Sequence, residues 1–215
     1  MSKLRFDITM TLDGYVAGPN QSVEHPLGEG AEHLHDWAYN LKFFREMHGE
    51  EGGETGTNDD LLREAFANIG ATIMGRNMFG GGPGPWPEDP PWNGWWGDNP
   101  PFHHPVFVLT HHAREPLAMQ GGTTFTFITD GIESALQQAR EAAAGKDVGL
   151  GGGASAANQY LAAGLIDEME LHVVPLLLGG GARLFENLDG SGLKIEPARA
   201  IEAPGVTHLK YRVVK

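Results

Sequence analysis

The segment with the clearest chemical potential is residues 147–161, where an apolar strand-like stretch runs into Gly151-Gly152-Gly153 and then into a helix-like stretch. A helix N-terminus presents unpaired N–H groups and the positive end of the helix dipole, so it binds phosphate groups. Glycine lets the backbone approach such an anion closely. The pattern predicts a phosphate-binding turn, and a tight strand-to-helix turn without a ligand is the alternative.

Two better-known nucleotide motifs do not account for this turn. Gly149-x-Gly151-x-x-Ala154 matches the dinucleotide fingerprint as text, with Glu170 as the ribose acid. That acid belongs at the end of its strand, whereas Glu170 lies near the start of one. The 45 residues after Glu170 are also too few to complete such a sheet. The phosphate loop of nucleotide hydrolases fails because no Lys-Ser/Thr pair follows the glycines.

Two further strand ends carry groups that suit a phosphate or an adenosine. In residues 71–80 (ATIMGRNMFG) a buried strand ends at Gly75, and Arg76 can pair bidentately with a phosphate. In residues 106–112 (VFVLTHH) a strand ends at Thr110, His111 and His112. The alternatives are an ordinary surface arginine after a turn and a polar strand end with no ligand.

These segments stand in a recognisable order with LDGYVAG at residues 12–18, GLIDE at 164–168 and VVPLLLGGG at 173–181. The ordered set resembles the dihydrofolate-reductase-like superfamily, specifically stand-alone relatives of the reductase domain of the bacterial bifunctional riboflavin-biosynthesis deaminase/reductase. The resemblance covers residues 4–188 and the last strand. This sequence contains no cysteine, and we expect a reductase domain without a fused deaminase.

The resemblance implies an NADPH-dependent oxidoreductase, like the riboflavin-pathway reductase or dihydrofolate reductase, that transfers hydride to a small heterocyclic or carbonyl/imine substrate. A non-catalytic nucleotide or ligand binder of the same fold is the alternative. The implied contacts to the adenosine half of NADPH come from Gly75, Arg76, Asn77, Thr110 and His111. Those to the pyrophosphate and over the nicotinamide come from Gly152, Gly153, Ala154, Ser155, Val16, Ala17 and Gly18.

A reductase also needs a proton source near the hydride acceptor. The candidates are Asp13, Tyr15 and Asp36, with water as an alternative. Asp13 belongs to an Asp-Gly pair, which forms a turn in its own right. The resemblance suggests Asp36 for the role of the carboxylate that folate reductases carry on their first helix, and the neighbouring Trp37 lines the substrate pocket or the core.

Periodicity predicts the elements that must position these residues. Strands are expected at residues 4–11, 71–74, 105–110, 124–129, 146–150, 169–178 and 208–214. Helices are expected at residues 31–47, 60–68 (capped by Asn58 or Asp59), 132–144 and 155–163, the last ended by Gly164. The alternation predicts one α/β domain over residues 1–215: a mixed, mostly parallel central sheet with helices on both faces and an antiparallel C-terminal end.

Residues 80–101, called the Trp-rich segment below, contain four of the five tryptophans together with many glycines and prolines. Proline at this density excludes a helix or a central strand. The tryptophans distinguish the segment from a flexible linker. Two interpretations stay open: a surface loop whose rings pack on the domain or on a partner subunit, or a lid over a site.

Composition limits the partners and the compartment. The net charge of −13 at pH 7 argues against nucleic-acid binding. The absence of cysteine excludes disulfides and thiol catalysis, and no apolar run is long enough to cross a membrane. The histidine pairs are adjacent or next-but-one in sequence, a spacing that does not suit a metal site on a helix, so no metal is expected. We therefore expect a cytoplasmic homodimer that binds a small-molecule substrate, with no membrane partner.

Overall fold

The computed structural model describes residues 2–188 and 192–214. Its strands are numbered here in chain order. They are β1 (Leu4–Thr11), β2 (Tyr15–Ala17), β3 (Ile69–Gly75), β4 (Pro105–Leu109), β5 (Leu117–Ala118), β6 (Thr124–Ile128), β7 (Asp147–Gly152), β8 (Glu168–Val174), β9 (Ala182–Arg183), β10 (Lys194–Ala203) and β11 (Val206–Val214). The helices are α1 (Asp36–Tyr39), α2 (Lys42–Met47), α3 (Thr57–Phe66), α4 (Arg76–Phe79), α5 (Ile132–Ala142) and α6 (Ala154–Ala162).

The central sheet has the strand order β10-β11-β8-β1-β7-β3-β4-β6-β5. The six strands from β8 to β6 in that order run parallel. β11 and β10 continue the sheet antiparallel at one end, and β5 is antiparallel at the other. The predicted mixed, mostly parallel sheet with an antiparallel C-terminal end is therefore confirmed. In the described part of the chain, no helix has the length and hydrophobicity needed to cross a membrane.

One side of the sheet, the apolar face, packs against α5 and α6. Alternation along β1 directs Leu4, Phe6 and Ile8 to this side, where they meet the corresponding residues of the neighbouring strands. α5 contributes the stripe Ala135, Leu136 and Ala139, and the hydroxyl of the buried Tyr160 donates to the carbonyl of Ile132 at 2.8 Å. The face is continuous and apolar, so burial of hydrocarbon holds these helices in place.

The same strands direct a second, polar set of side chains to the other side, the polar face. Its members on the central strands and β11 include Asp7, Thr9, Glu170, His172 and His208. All of these except Asp7 are buried. Parallel sheets are covered on both sides, and α3 covers this one, so these polar groups must find partners within the protein.

The predicted single helix over residues 31–47 is wrong. Two short helices replace it, because Leu41 adopts an extended backbone conformation (φ −67°, ψ 142°) between them. At this point the chain pairs with a distant segment: Lys42 N–H donates to Glu54 O, and Glu54 N–H donates to Asn40 O. Pairing with residue 54 breaks the helix, although the apolar spacing continues through it.

Other boundaries differ from the sequence predictions for identifiable reasons. α3 begins at Thr57 after Gly56, and no side chain caps it, so the predicted capping by Asn58 or Asp59 is wrong. Asp59 Oδ1 instead accepts from the Phe43 N–H at 2.6 Å. Strand β10 was not predicted, because it contains Pro197 and is mostly exposed at the sheet edge. Gly164 does follow α6 with φ +64°, as a residue that ends a helix should.

The Trp-rich segment has no extended regular structure, as its prolines predicted, and its rings pack on the domain. Three of its indole N–H groups donate to backbone carbonyls: Trp86 to His112, Trp92 to Phe79 and Trp95 to Met78, at 2.8, 2.9 and 3.0 Å. Trp96 stacks on the buried Phe125. These contacts support the first interpretation of this segment, a loop packed on its own domain.

Candidate functional site

The glycine turn at residues 151–153 ends β7 and begins α6. Ala157 N–H donates to Gly153 O at 3.1 Å as the first hydrogen bond of the helix. The N–H groups before it have no partner within a helix. A side chain on Gly153 would meet nothing within 4 Å, whereas Gly152 has φ +115°, which strains any other residue. The turn therefore faces open space with donors directed into it.

The structure brings the predicted strand ends together beside this turn. A Cβ on Gly75 would lie 3.4 Å from Ala156 Cβ and 3.7 Å from Gly153 N. β3 pairs with β4 so that Gly75 lies opposite Leu109, the residue before Thr110. The carboxyl ends of neighbouring parallel strands thus place Gly75, Thr110 and Gly153 along one edge of the sheet, where ligands of open α/β sheets bind.

Arg76, predicted to bind a phosphate, is largely occupied by the Trp-rich segment. Its Nε donates to Gly80 O at 3.1 Å and its Nη2 to Gly82 O at 3.0 Å. The guanidinium carbon lies 3.2 Å from the centroid of the Trp86 ring. Nη1 is buried and has no hydrogen-bond partner among the described residues. The guanidinium is thus held by the Trp-rich segment with its unpaired nitrogen buried, and burial lowers its pKa.

The other predicted cofactor contacts differ in exposure. Asn77, His111 and Ser155 are exposed, and Ala154 is half-buried in the first turn of α6. Thr110 is buried and its Oγ1 accepts from the His112 N–H at 3.1 Å, so it closes the turn after β4.

Val16, Ala17 and Gly18, predicted to cover a nicotinamide ring, form a packed segment. β2 pairs with β9, and Gly18 N–H donates to Leu27 O at 2.7 Å. Backbone atoms surround Gly18 so closely that a Cβ would lie 2.1 Å from Glu29 O. The segment has a fixed conformation beside the end of β1, and its contact with a nicotinamide stays a prediction.

Asp13 is held as a carboxylate by its surroundings. It accepts from Thr11 Oγ1 at 2.6 Å and from the N–H groups of Gly179 and Leu178 at 2.7 and 3.1 Å. These hydrogen bonds, that from Thr11 foremost, keep the pKa of Asp13 below its usual range. An ionised carboxylate has no proton to give, so the geometry favours a turn-stabilising role over proton donation.

The remaining candidates from the sequence lie apart from one another. Asp36 is exposed and accepts from His33 Nδ1 at 2.8 Å on the surface. Tyr15 is half-buried, with the Arg183 guanidinium 5.9 Å from its ring centroid. Trp37 turns inward onto the polar face, where its Nε1 donates to Thr9 Oγ1 at 3.1 Å.

A buried chain of hydrogen bonds, called the relay below, was not predicted from the sequence. His172 Nε2 lies 3.1 Å from Asp7 Oδ1, and His172 Nδ1 lies 2.6 Å from His208 Nδ1. His208 Nε2 lies 2.9 Å from Asn58 Oδ1, and Asn58 Nδ2 donates to Pro204 O at 3.1 Å. Trp37 covers both imidazoles, with ring centroids 4.7 and 5.3 Å away.

The partners at the two ends of the relay fix its outer hydrogens, and the opposite pKa shifts of the two imidazoles assign the hydrogen between them. Asn58 Oδ1 only accepts, so His208 Nε2 carries a hydrogen and the neutral ring accepts at Nδ1. His172 Nδ1 must then donate to it, while His172 Nε2 donates to the Asp7 carboxylate. With His208 neutral, this arrangement makes His172 the ring that carries two hydrogens and pairs with Asp7.

The electrostatic surroundings agree with this assignment. Burial lowers the pKa of His172, but the charge of Asp7 and the hydrogen bond to it outweigh burial, so the pKa is raised. Burial, with the charge of His172 beside it, lowers the pKa of His208 to about 4. The sequence signal was weak: polar residues alternate along β1 and β8, a pattern that equally suits a solvated face.

The polar face also holds a cavity of about 150 Å³ beside the relay. Gly149 and Gly151 leave room for it, Asp7 and Glu170 contribute charge, and the side of α3 and the start of β3 form one wall. The described residues contain no group of three or more His, Cys, Asp or Glu side chains placed to hold a metal ion.

This sheet, with a glycine turn at its carboxyl edge and an antiparallel end, defines a dihydrofolate-reductase-like fold. The chain belongs to the RibD C-terminal domain family, whose sequence profile matches residues 2–208. A search of curated proteins found no match.

Three solved structures illustrate the similarity of the fold. A protein from Shewanella sp. PV-4 described as a riboflavin biosynthesis protein is 20% identical with a TM-score of 0.63, and each chain is covered completely. Dihydrofolate reductase from Enterococcus faecalis, complexed with NADP(H), is 13% identical with a TM-score of 0.50, and the match covers 99% of this chain and 97% of that one.

The third is a bifunctional enzyme from Thermotoga maritima, a diaminohydroxyphosphoribosylaminopyrimidine deaminase/5-amino-6-(5-phosphoribosylamino)uracil reductase. It is 14% identical with a TM-score of 0.57. The match covers 98% of this chain but 56% of the longer enzyme. At these identities the three structures support the fold alone.

Proposed function

We propose that the protein is an NADPH-dependent reductase that transfers hydride to a small heterocyclic or carbonyl/imine substrate. The observation that carries this proposal is the open glycine turn at the start of α6, directly beside Gly75. Membership of the RibD C-terminal domain family supports it. So do the names of two proteins of the same fold: a uracil-type reductase and a dihydrofolate reductase complexed with NADP(H).

The residues at this edge fit a dinucleotide. The N–H groups at the start of α6, from Ala154 and Ser155, would hold the pyrophosphate, and the space in front of Gly153 admits it without displacing a side chain. Arg76 and Thr110, which follow β3 and β4 at the same edge, would contact the adenosine half. When bound, NADPH supplies the hydride, and the protein's part is to orient both reactants and exclude water.

Hydride transfer to such a substrate also needs a proton donor. Asp13 is held ionised and Asp36 is exposed. Of the three candidates from the sequence, Tyr15 is the one we carry forward, with water as the alternative donor.

The experiment is a titration of the protein with NADPH, followed by tryptophan fluorescence, on three forms of the chain. Gly153→Val places a side chain in space that nothing else fills, so it should weaken NADPH binding at least about tenfold. Gly180→Val is the matched control, because Gly180 also lies in a glycine triplet with nothing within 4 Å of an added Cβ. It should bind NADPH as the wild type does.

Two results would contradict the proposal. Equal affinity of wild type and Gly153→Val would remove the turn from the cofactor site, and no binding by the wild type would remove the cofactor itself. Turnover is then measured as NADPH oxidation with a panel of carbonyl and pterin compounds. Binding without turnover of any compound would support the non-catalytic binder.

A further inference from the structure

The two histidines of the relay stand on neighbouring strands. His172 of β8 and His208 of β11 lie directly opposite each other in the antiparallel register, so both rings project to the polar face. Both residues are buried, with 1% of their surface exposed. The pairing of β8 with β11 continues on either side of them, from Thr207 to Arg212 of β11. The strands therefore hold the two backbones together, and only rotation of the side chains can separate the rings.

The four ring nitrogens have places for three hydrogens. His172 Nε2 faces Asp7 Oδ1 at 3.1 Å and His208 Nε2 faces Asn58 Oδ1 at 2.9 Å, so each of these nitrogens carries a hydrogen. The Asn58 amide is held in this orientation because its Nδ2 donates to Pro204 O. The two Nδ1 atoms lie 2.6 Å apart and share the third hydrogen.

A fourth proton has no place in this arrangement. It would put an N–H on both Nδ1 atoms, so two donors and two like charges would replace the hydrogen bond between them. Like charges repel strongly in a buried site, where little solvent screens them. Trp37 lies over both rings, with centroid distances of 4.7 and 5.3 Å, so neither ring can turn outward while Trp37 stays in place.

The segment that carries Trp37 depends on these contacts. α1 has four residues, and no described side chain caps its start. A helix of this length is not stable by itself. Trp37 attaches it to the sheet through its contacts with the two imidazoles and through the hydrogen bond from Nε1 to Thr9 Oγ1 at 3.1 Å. Leu34, which is fully buried just before α1, would keep the segment attached to the domain if Trp37 moved away.

Titratable and charged groups stand on every element around the two histidines. They are Asp7 on β1, Asp36 on α1, Asp59 on α3, Glu170 on β8, Arg199 on β10 and Lys210 on β11. Arg199 and Lys210 both pair with Glu170, at 2.8 and 3.6 Å. Burial, followed by the charge of His172, lowers the pKa of His208 to about 4, although the charge of Asp7 acts in the opposite direction. The fourth proton therefore enters well below neutral pH.

A third imidazole belongs to the covering segment itself. His35 precedes α1, and burial followed by the charge of His172 lowers its pKa to about 4, while the charge of Asp36 opposes this. A proton on His35 is repelled by His172, so it adds to the repulsion that a proton on His208 creates.

We propose that residues 35–39, with Trp37 at their centre, form a pH-sensitive latch over the polar face, which opens when a fourth proton separates His172 from His208. At neutral pH the latch covers both histidines. In acid the two rings turn apart and displace Trp37, while β8 and β11 stay paired. The latch does not rest on the proposed function, and its test contains neither cofactor nor substrate, so either proposal can fail alone.

The test follows hydrogen exchange of the Trp37 indole N–H by NMR between pH 7 and pH 4.5. The indole N–H of Trp92 is the internal reference, because it donates to Phe79 O at 2.9 Å and its ring packs in a different hydrophobic cluster. The ratio of Trp37 protection to Trp92 protection cancels the intrinsic pH dependence of exchange. It should fall at least about tenfold, because a charge-assisted hydrogen bond is lost. Backbone amides of β8 should stay protected; loss of their protection together with that of Trp37 would mean global unfolding and would overturn the latch.

His208→Gln tests the role of the fourth proton. Glutamine offers an acceptor to His172 and a donor to Asn58, as the neutral imidazole does, but it takes up no proton. Most of the fall in the ratio should therefore disappear. His25→Gln is the matched control, because it removes an exposed imidazole, and it should keep the wild-type fall. A wild-type fall in His208→Gln, or an equal loss of the fall in His25→Gln, would overturn the proposal.

A measurement on the wild type covers the case in which His208→Gln fails to fold. Nitrogen NMR counts the hydrogens on the rings of His172 and His208, and it should find three at pH 7. Two hydrogens would leave room for another proton without separation of the rings, and four would mean that the pair is already separated. Either count would overturn the proposal.

Discussion

The two faces of the sheet are built by the same strands and held together by different interactions. On β8, Leu171 points to the apolar face and His172 to the polar face, and both are buried. Leu171 needs only close packing, which many hydrophobic side chains would provide. His172 needs a carboxylate on one side and a neutral imidazole on the other. One face tolerates substitution that conserves volume, and the other depends on particular partners.

The difference indicates where function lies. Burial of polar groups does not stabilise a fold more than well-packed hydrocarbon does, and breaking a buried pair is costly. A sheet face that buries His172 and His208 next to Asp7 and a cavity is therefore a candidate for ligand binding. The apolar face carries the stability, and the predictions below test that division.

The largest effect is expected on the apolar face. Leu171→Ala should lower the free energy of unfolding by about 2–5 kcal/mol, because it leaves a cavity in a close-packed core. The loss should be the same at pH 5 and pH 8, since no titrating group is removed. Chemical denaturation at the two pH values measures it, and a pH-dependent loss would show that the faces are not independent.

The second-largest effect is the pH dependence of stability, which His208 on the polar face controls. The folded-state pKa of His208, about 4, lies below the ordinary value of 6.5, so its neutral form is stabilised by folding. The contribution is present above pH 6.5 and is lost as the pH falls towards 4. The free energy of unfolding of the wild type should therefore fall between pH 6.5 and pH 4.5. In His208→Gln that fall should be smaller by on the order of 2 kcal/mol.

Denaturation midpoints over that pH range measure this difference. His172 acts in the opposite direction: its raised pKa contributes stability below pH 6.5 that is lost as the pH rises through the folded value. His25→Gln is the control, since His25 is exposed. If His208→Gln and His25→Gln follow the wild-type curve alike, the relay does not titrate as its geometry indicates.

The third prediction concerns the sheet edge, where both faces meet the cofactor site. The phosphate that distinguishes NADPH from NADH needs a local cation in a protein of net charge −13. Arg76→Ala should weaken NADPH binding about tenfold or more and leave NADH nearly unchanged. Arg114→Ala is the control, because Arg114 also lies against Trp86, at 5.4 Å.

Paired titrations with the two cofactors measure this selectivity. An equal loss for NADPH and NADH would mean that Arg76 acts through the carbonyls of Gly80 and Gly82, by holding the Trp-rich segment. No change for either cofactor would remove this loop from the site.

The smallest effect is expected in the Trp-rich segment. Trp92→Phe removes the indole donor to Phe79 O and should cost about 1 kcal/mol in the free energy of unfolding. Proteolysis within residues 80–101 should be slow in the wild type and faster in the variant. Rapid cleavage of the wild type, with the rest of the chain intact, would contradict an ordered segment.

Local patterns were sufficient for much of the sheet. The alternation in residues 4–11 predicted β1 with its observed bounds, and the glycines at 151–153 predicted the change from strand to helix. These predictions succeeded because period-two alternation and glycine conformations are properties of neighbouring residues. The predicted helix over residues 31–47 failed because residues 40 and 42 pair with residue 54, which no local pattern records.

The sequence by itself determined the fold class, the position of the glycine turn and the family to which the chain belongs, since each depends on residue types in a fixed order. Only the tertiary structure decided that Asp13 caps a turn, that Asp36 is exposed and that Arg76 holds the Trp-rich segment. It alone assembled the relay, because Asp7, Asn58, His172 and His208 come from four separate elements. A buried charge depends on its neighbours in space, and strand order in the sheet sets those neighbours.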